Sequence, residues 1–137
     1  MKDIQVAALG STNHLSRTPE DDANLAELLS AGTGILALLG KSSIHQVRAQ
    51  LQVEPQRNLE IAADSVGYMR QKGRQVFFDA EHFFDGFQEE PDYALAVLAA
   101  AAKAGAETLE LCDTNGGSLP EHVAMATRRV KEAHPPF

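Results

Sequence analysis

Four short apolar runs recur along this chain, and each is followed by a stretch with helical periodicity. They are Ile4–Gly10 (IQVAALG), Gly34–Gly40 (GILALLG), Gln75–Glu81 (QVFFDAE) and Thr108–Asp113 (TLELCD). Their starts lie 30, 41 and 33 residues apart. Strands this short, separated by helices, pair in parallel, because a parallel pair needs a crossover and a helix supplies it. The pattern predicts an α/β fold of about four consecutive βα units with one parallel sheet.

The helix signals sit where this scheme needs them. Thr18 reads as an N-cap before Pro19, with Glu20, Asp21 and Asp22 in the first turn, where the helix dipole favours anions. Leu25, Leu28 and Leu29 then mark an apolar face. A second helix starts near Pro55, with a stripe of Leu59, Ala62, Val66 and Met69. A third starts at Pro91, with Leu95, Leu98 and Ala102 inward. A fourth starts at Pro120, with Val123, Thr127 and Val130 on one face and Pro135–Pro136 as its stop. A shorter helix is expected around Ser43–Gln50. Gly32, Gly73 and Gly105 each stand between a helix and the next strand, as terminators. No linker or low-complexity tract interrupts residues 1–137, so one segment without an internal boundary is expected.

Charge and composition narrow the function classes. Twelve Lys and Arg face nineteen Asp and Glu, a net charge of −7 that repels phosphate backbones and argues against nucleic-acid binding. No run approaches the roughly 20 apolar residues of a membrane helix, and Met1-Lys2-Asp3-Ile4 lacks a signal-peptide core. The single cysteine, Cys112, forms neither an internal disulfide nor a zinc cluster, so a reducing cytoplasmic setting is expected. In an apolar strand, Cys112 reads as a buried structural thiol rather than a nucleophile. The five histidines match no metal-binding spacing, and neither a dinucleotide fingerprint nor a phosphate-binding Walker loop is present.

Ligands of parallel α/β proteins bind at the carboxyl ends of the strands, so the polar residues there carry the function. The third run is the most unusual. Strand alternation puts Phe77, Asp79 and Glu81 on one face and Val76, Phe78 and Ala80 on the other. Two carboxylates side by side repel, which raises the pKa of one and suits it to acid or base work. The competing reading is that one caps a loop or pairs with a lysine. The fourth run ends in Cys112-Asp113-Thr114-Asn115-Gly116-Gly117. This is either a turn whose N–H groups hold a carboxylate or phosphate, or a loop whose backbone Asp113 ties down.

Four segments together resemble the 2-isopropylmalate, homocitrate and citramalate synthase family: LGST at Leu9–Thr12, GKSSIH at Gly40–His45, FFDAEHFFDGF at Phe77–Phe87 and LCDTNGGSLP at Leu111–Pro120. The form is most similar to the citramalate branch, in which the family's P-E-D-A-G-R-S gives way to A-E-H-F-F-D-G. The resemblance implies a TIM (βα)8 barrel that condenses acetyl-CoA with a 2-oxo acid, such as pyruvate or 2-oxobutanoate, with help from a divalent metal (Mg, Mn or Zn). It places this chain over strands three to six, the central half of the barrel. The Arg-Asp-Gly motif of strand one and the His-x-His-Asn-Asp motif of strand seven, which supply the catalytic Arg and the metal ligands, are absent. The chain is therefore expected to be an internal fragment, inactive alone, with its metal ligands elsewhere.

The resemblance also implies roles. Glu81 matches the family's acid/base Glu near the reacting carbonyl, and Asp79 a substrate-pocket position. Thr114 matches the Thr of D-T-x-G, which holds the 2-oxo acid carboxylate. Leu36 matches a pocket position where isopropylmalate synthases carry a polar residue, and a leucine there fits a small apolar substituent. His45 is expected to be structural, and Asn115 replaces a residue that is commonly apolar. Two alternatives stay open: a half-barrel that binds a small carboxylate or assembles with a partner, and a lyase or aldolase of the same superfamily. A four-stranded piece leaves two strand edges unpaired, so self-association into a homo-oligomer is expected.

Overall fold

The computed structural model describes residues 4–134. Four strands, β1 (Ala7–Ser11), β2 (Ile35–Lys41), β3 (Gln75–Glu81) and β4 (Thr108–Leu111), form one sheet in the order β1-β2-β3-β4. Every neighbouring pair is parallel. The helices are α1 (Ala23–Ser30), α2 (Ile44–Gln46), α3 (Pro55–Gln71), α4 (Phe83–Glu89), α5 (Pro91–Ala104) and α6 (Pro120–Ala133). Strands that follow one another in both sequence and space, each return made through helices, trace an arc of a (βα)8 barrel.

All four expected strands are present, with shifted ends. β1 begins at Ala7, not Ile4, because its partner among the described residues, β2, starts at Ile35 and pairs first with Ala7. β4 stops at Leu111, opposite Ala80 near the end of β3.

Register sorts the side chains onto two faces. Leu36 aligns with Val76, Leu38 with Phe78, and Gly40 with Ala80. These face the helices, and the five side chains of Leu36, Leu38, Val76, Phe78 and Ala80 are fully buried. Against them pack Leu25 and Leu28 of α1, Ala62, Val66 and Met69 of α3, and Val97, Leu98 and Ala101 of α5. Gly40 is required here, since a β-carbon at that position would collide with the Phe78 ring.

The helices correct several expectations. Pro19–Asp21 forms only a 3-10 turn, and α1 starts one residue past Asp22. The cap is Asp22, not Thr18, because the buried Asp22 carboxylate accepts from the Leu25 N–H at 3.0 Å and also from the His14 N–H at 2.8 Å. α5 is rotated from the expected stripe. Ala94, Val97, Leu98 and Ala101 are buried, while Leu95 and Ala102 are half-buried, because small side chains bring α5 close to α3 and the sheet. The short helix after β2 continues as a π-helical turn over Val47–Leu51, ending at Gln52 in the left-handed region (φ 55°). α4 was not expected at all. The Pro135–Pro136 stop lies outside the described residues. Gly32, Gly73 and Gly105 all adopt positive φ at helix ends, as expected.

Candidate active site

The opposite face of the sheet carries the charged side chains. Ile35, Ala37, Leu39 and Lys41 of β2 align with Gln75, Phe77, Asp79 and Glu81 of β3. On β4, Thr108 aligns with Phe77, and Glu110 with Asp79. Each row ends in charge toward the carboxyl ends, at Lys41 on β2, Asp79 and Glu81 on β3 and Glu110 on β4. A cavity of about 390 Å³ opens there, bounded by Asn13, His14, Leu39, Lys41, Ile61 and Glu81 among others.

Glu81 stands in this cavity as an ion pair. Lys41 Nζ donates to its Oε2 at 2.8 Å, with the side chains about a quarter exposed (21% and 27%). The lysine-pairing reading therefore holds for Glu81. Asp79 is different. Its Oδ1 is buried without a hydrogen-bond partner. Burial, and then the facing Glu110 carboxylate, push its pKa up to about 6. Adjacent carboxylates were expected to repel along β3; the carboxylate that matters to Asp79 is instead across the ladder on β4. Cys112 corrects its expectation too. It lies past the end of β4, half-buried beside these acids. Burial and then the charges of Asp79, Glu110 and Glu81 push its thiol up to about 11, so it stays protonated and unreactive near neutrality.

Thr114 belongs to the next loop and is exposed. Its Oγ1 accepts from the His82 N–H at 2.8 Å, which ties the β4–α6 loop to the residue after Glu81. His82 holds a left-handed φ of 57°, and its Nδ1 lies 3.0 Å from Asp85, whose carboxylate also accepts from Asn115 at 2.8 Å. Asp113 accepts from the Ser118 N–H and hydroxyl, both at 3.1 Å, so the tied-down reading of that loop holds.

Glu81, Asp79 and Thr114 thus gather at the ends of β3 and β4, and only Glu81 borders the cavity. Leu36 does not join them. It is fully buried on the helix side, because an even-numbered position on β2 points away from Lys41 and from Glu81. The β2 leucine that borders the cavity is Leu39. His45 is exposed on α2, outside the cavity.

Sequence reasoning missed Lys41 and the buried polar residues behind it. Ser65 of α3 accepts from the Asn13 N–H at 2.9 Å and donates to Asn13 Oδ1 at 2.7 Å, fixing the β1 loop at the cavity rim. Asn58 of α3 donates to the Lys41 carbonyl and to the Tyr93 hydroxyl, both at 2.9 Å. A signal was available: Asn58 and Ser65 are polar residues seven apart on the buried stripe with Ala62 and Met69, and buried polar side chains are kept only when bonded.

A cavity at the carboxyl ends of parallel βα units, with a paired carboxylate at its edge, is the binding face of a TIM-barrel protein. The chain belongs to the HMGL-like family, whose model matches residues 2–136. It is 42% identical over 133 residues to the (R)-citramalate synthase of Synechocystis sp., a match covering 97% of this chain and 24% of that protein. To the (R)-citramalate synthase of Aquifex aeolicus it is 40% identical over 131 residues, covering 96% and 25%. It is also 31% identical over 137 residues to the 2-isopropylmalate synthase of Paracidovorax citrulli, covering 98% and 25%. The fold matches that of hydroxymethylglutaryl-CoA lyase from Pseudomonas aeruginosa at a TM-score of 0.72 and 18% identity, over 96% of this chain and 42% of that one. The chain therefore spans about a quarter of the length of these curated synthases. Among the described residues no helix is long and apolar enough to cross a membrane.

Proposed function

We propose that this chain is the central half of the catalytic barrel of a citramalate-type synthase, which condenses acetyl-CoA with a small 2-oxo acid such as pyruvate or 2-oxobutanoate. The observation that carries this reading is Glu81, set by the sequence FDAEHFFDG at a cavity on the barrel's binding face, in a chain 42% identical to an (R)-citramalate synthase.

In this reading a base takes a proton from the acetyl methyl group, the enolate attacks the keto carbon, and hydrolysis of the thioester releases CoA. Glu81 supplies acid/base support at the reacting carbonyl. Leu39 offers an apolar wall to the substituent of the 2-oxo acid. Thr114, anchored on the His82 N–H, keeps its hydroxyl proton free to donate to the substrate carboxylate. Asp79, on the same face one strand repeat before Glu81, lies outside the cavity lining, and its raised pKa of about 6 lets it hold a proton in mildly acidic solution. Leu36 takes no part, since the helices cover it.

No group of three or more His, Cys, Asp or Glu among the described residues is placed to hold a metal ion. A divalent metal (Mg, Mn or Zn), as in the family resemblance, would be held from outside this segment and would stabilise negative charge on the 2-oxo acid. The segment by itself is accordingly proposed to be inactive. The test is CoA release from acetyl-CoA and pyruvate by the complete barrel that carries this segment. A drop in kcat of about 10²-fold or more for Glu81→Gln is expected. Unchanged kcat in that variant would remove Glu81 from the reaction.

A further inference from the structure

We propose that Lys41 and Ser42 are positioning residues that clamp Glu81 into the cavity; this rests on the synthase reading above. Three contacts converge on the one residue. Lys41 Nζ meets the Glu81 carboxylate at 2.8 Å. The Ser42 N–H donates to the Glu81 carbonyl at 3.1 Å, and the Ser42 hydroxyl donates to the same oxygen at 2.7 Å. Main chain and side chain of Glu81 are therefore held by two consecutive residues, the last of β2 and the one that follows it. Lys41 and Glu81 are register partners on parallel strands, so their side chains leave the sheet on the same face.

The clamp is braced from behind. The Lys41 carbonyl accepts from Asn58 of α3, which also donates to Tyr93 of α5, so two helices fix the backbone that carries the ammonium. Ser42 and Ser43 are buried. α4 presses on them, since a β-carbon on Gly86 would come within 2.6 Å of the Ser42 carbonyl oxygen and of the Ser43 α-carbon. A glycine, two buried serines and a buried asparagine are spent at a strand end whose own side chains add little to the apolar core. Such support fits a site in which about 1 Å of misplacement has a large effect on rate. The ammonium also gives Glu81 a counter-charge amid the carboxylates of Asp79 and Glu110 on the same face.

The test is a double-mutant cycle in the complete synthase, with acetyl-CoA and pyruvate as substrates. Lys41→Met is expected to lower kcat about 10²-fold and to move KM for pyruvate less than about threefold. Lys41→Arg, which keeps the charge, is expected to recover at least about tenfold of that loss. In a Glu81→Gln background, Lys41→Met is expected to cost less than about threefold more, since there is no longer a carboxylate to position. Equal losses in both backgrounds would overturn the clamp and leave Lys41 with a structural role. A rise in KM with kcat intact would overturn it too, making Lys41 a substrate ligand. If Glu81→Gln leaves kcat unchanged, the catalytic reading of Glu81 fails, and the clamp falls with it. Should Lys41→Met lose its thermal unfolding transition, Ser42→Ala against Glu81→Gln makes the same cycle with the same criterion.

Discussion

The two faces of the sheet are built from the same strands and obey opposite rules. On the helix side Leu36, Leu38, Val76, Phe78 and Ala80 are sealed from water, and nothing polar interrupts them. On the other side the rows run Ile35-Ala37-Leu39-Lys41 and Gln75-Phe77-Asp79-Glu81, ending in charge. One face holds the fold together and the other carries the charged strand ends and the cavity. Pleating keeps them independent: a one-residue step changes the side, so substitutions on one face need not disturb the other. Leu36 and Leu39 show the consequence. They are three residues apart and equally apolar, yet one is core and the other borders a cavity.

The sharpest way to break this division is to compare Phe78 with Phe77. Phe78→Ala empties a fully buried site and is expected to cost about 3–5 kcal/mol, a large share of the stability of any domain this size. Phe77→Ala, on the half-exposed face, is expected to cost clearly less. Urea unfolding of the two variants decides it, and equal losses would mean that the faces are not separate. Gly86→Ala probes a place where the helix layer presses on the end of β2 beside the chemical face. Its new β-carbon meets backbone rather than a yielding side chain, so a loss of about 1–3 kcal/mol is expected, with a fall in kcat as Ser42 shifts.

A smaller effect is expected from Asp79, which titrates within the chemical face. Its pKa rises from 3.8 to about 6 in the folded chain, by burial and then by Glu110. The folded state therefore binds this proton more tightly than the unfolded state does. The stabilisation is complete below pH 3.8 and fades as pH climbs to about 6, where the carboxylate must ionise in place. Asp79→Asn is expected to remove this downward slope and to make the protein more stable at pH 7. Unfolding midpoints measured from pH 4 to pH 7 in both forms check the sign; an upward slope lost in the variant would contradict it.

Much of this was legible from residues alone. Four strands, their parallel pairing, three proline-started helices and the shared face of Asp79 and Glu81 follow from apolar spacing, proline and glycine placement and the two-residue strand period. What sequence missed is non-local. α4 hides in Phe83–Glu89 because its phenylalanines and glycine read as a motif, and its packing on Ser42 is decided by tertiary contact. Lys41 looks like a loop lysine until register places it opposite Glu81. The Leu36 assignment failed because a match by segment does not count strand parity. The partner that raises Asp79 could not be read locally, since Glu110 lies 31 positions away and becomes a neighbour only through the β3–β4 ladder.

The smallest expected effect on stability sharpens the comparison at its margin, where the two faces meet the sheet edges. β1 and β4 each have one strand partner within the sheet. On β1, Leu9 is 59% exposed on the chemical face, and Val6 and Ile4 before it are 64% and 66% exposed. Unpaired parallel edges with apolar side chains are templates for another chain, and two four-stranded arcs have the strand number to close a ring. The isolated segment is therefore expected to self-associate, with light scattering giving a mass of two or more chains that grows with concentration. Leu9→Asp puts a carboxylate on the same face as Glu110 of β4, so an edge-to-edge seam would bring like charges together. That variant is expected to shift the segment toward a single chain, while its unfolding free energy, measured where both forms are dissociated, changes by no more than about 0.5 kcal/mol. A wild-type mass of one chain at high concentration would defeat the expectation. A large stability loss in the variant would show instead that Leu9 belongs with the sealed face, and that the division between the faces does not extend to β1.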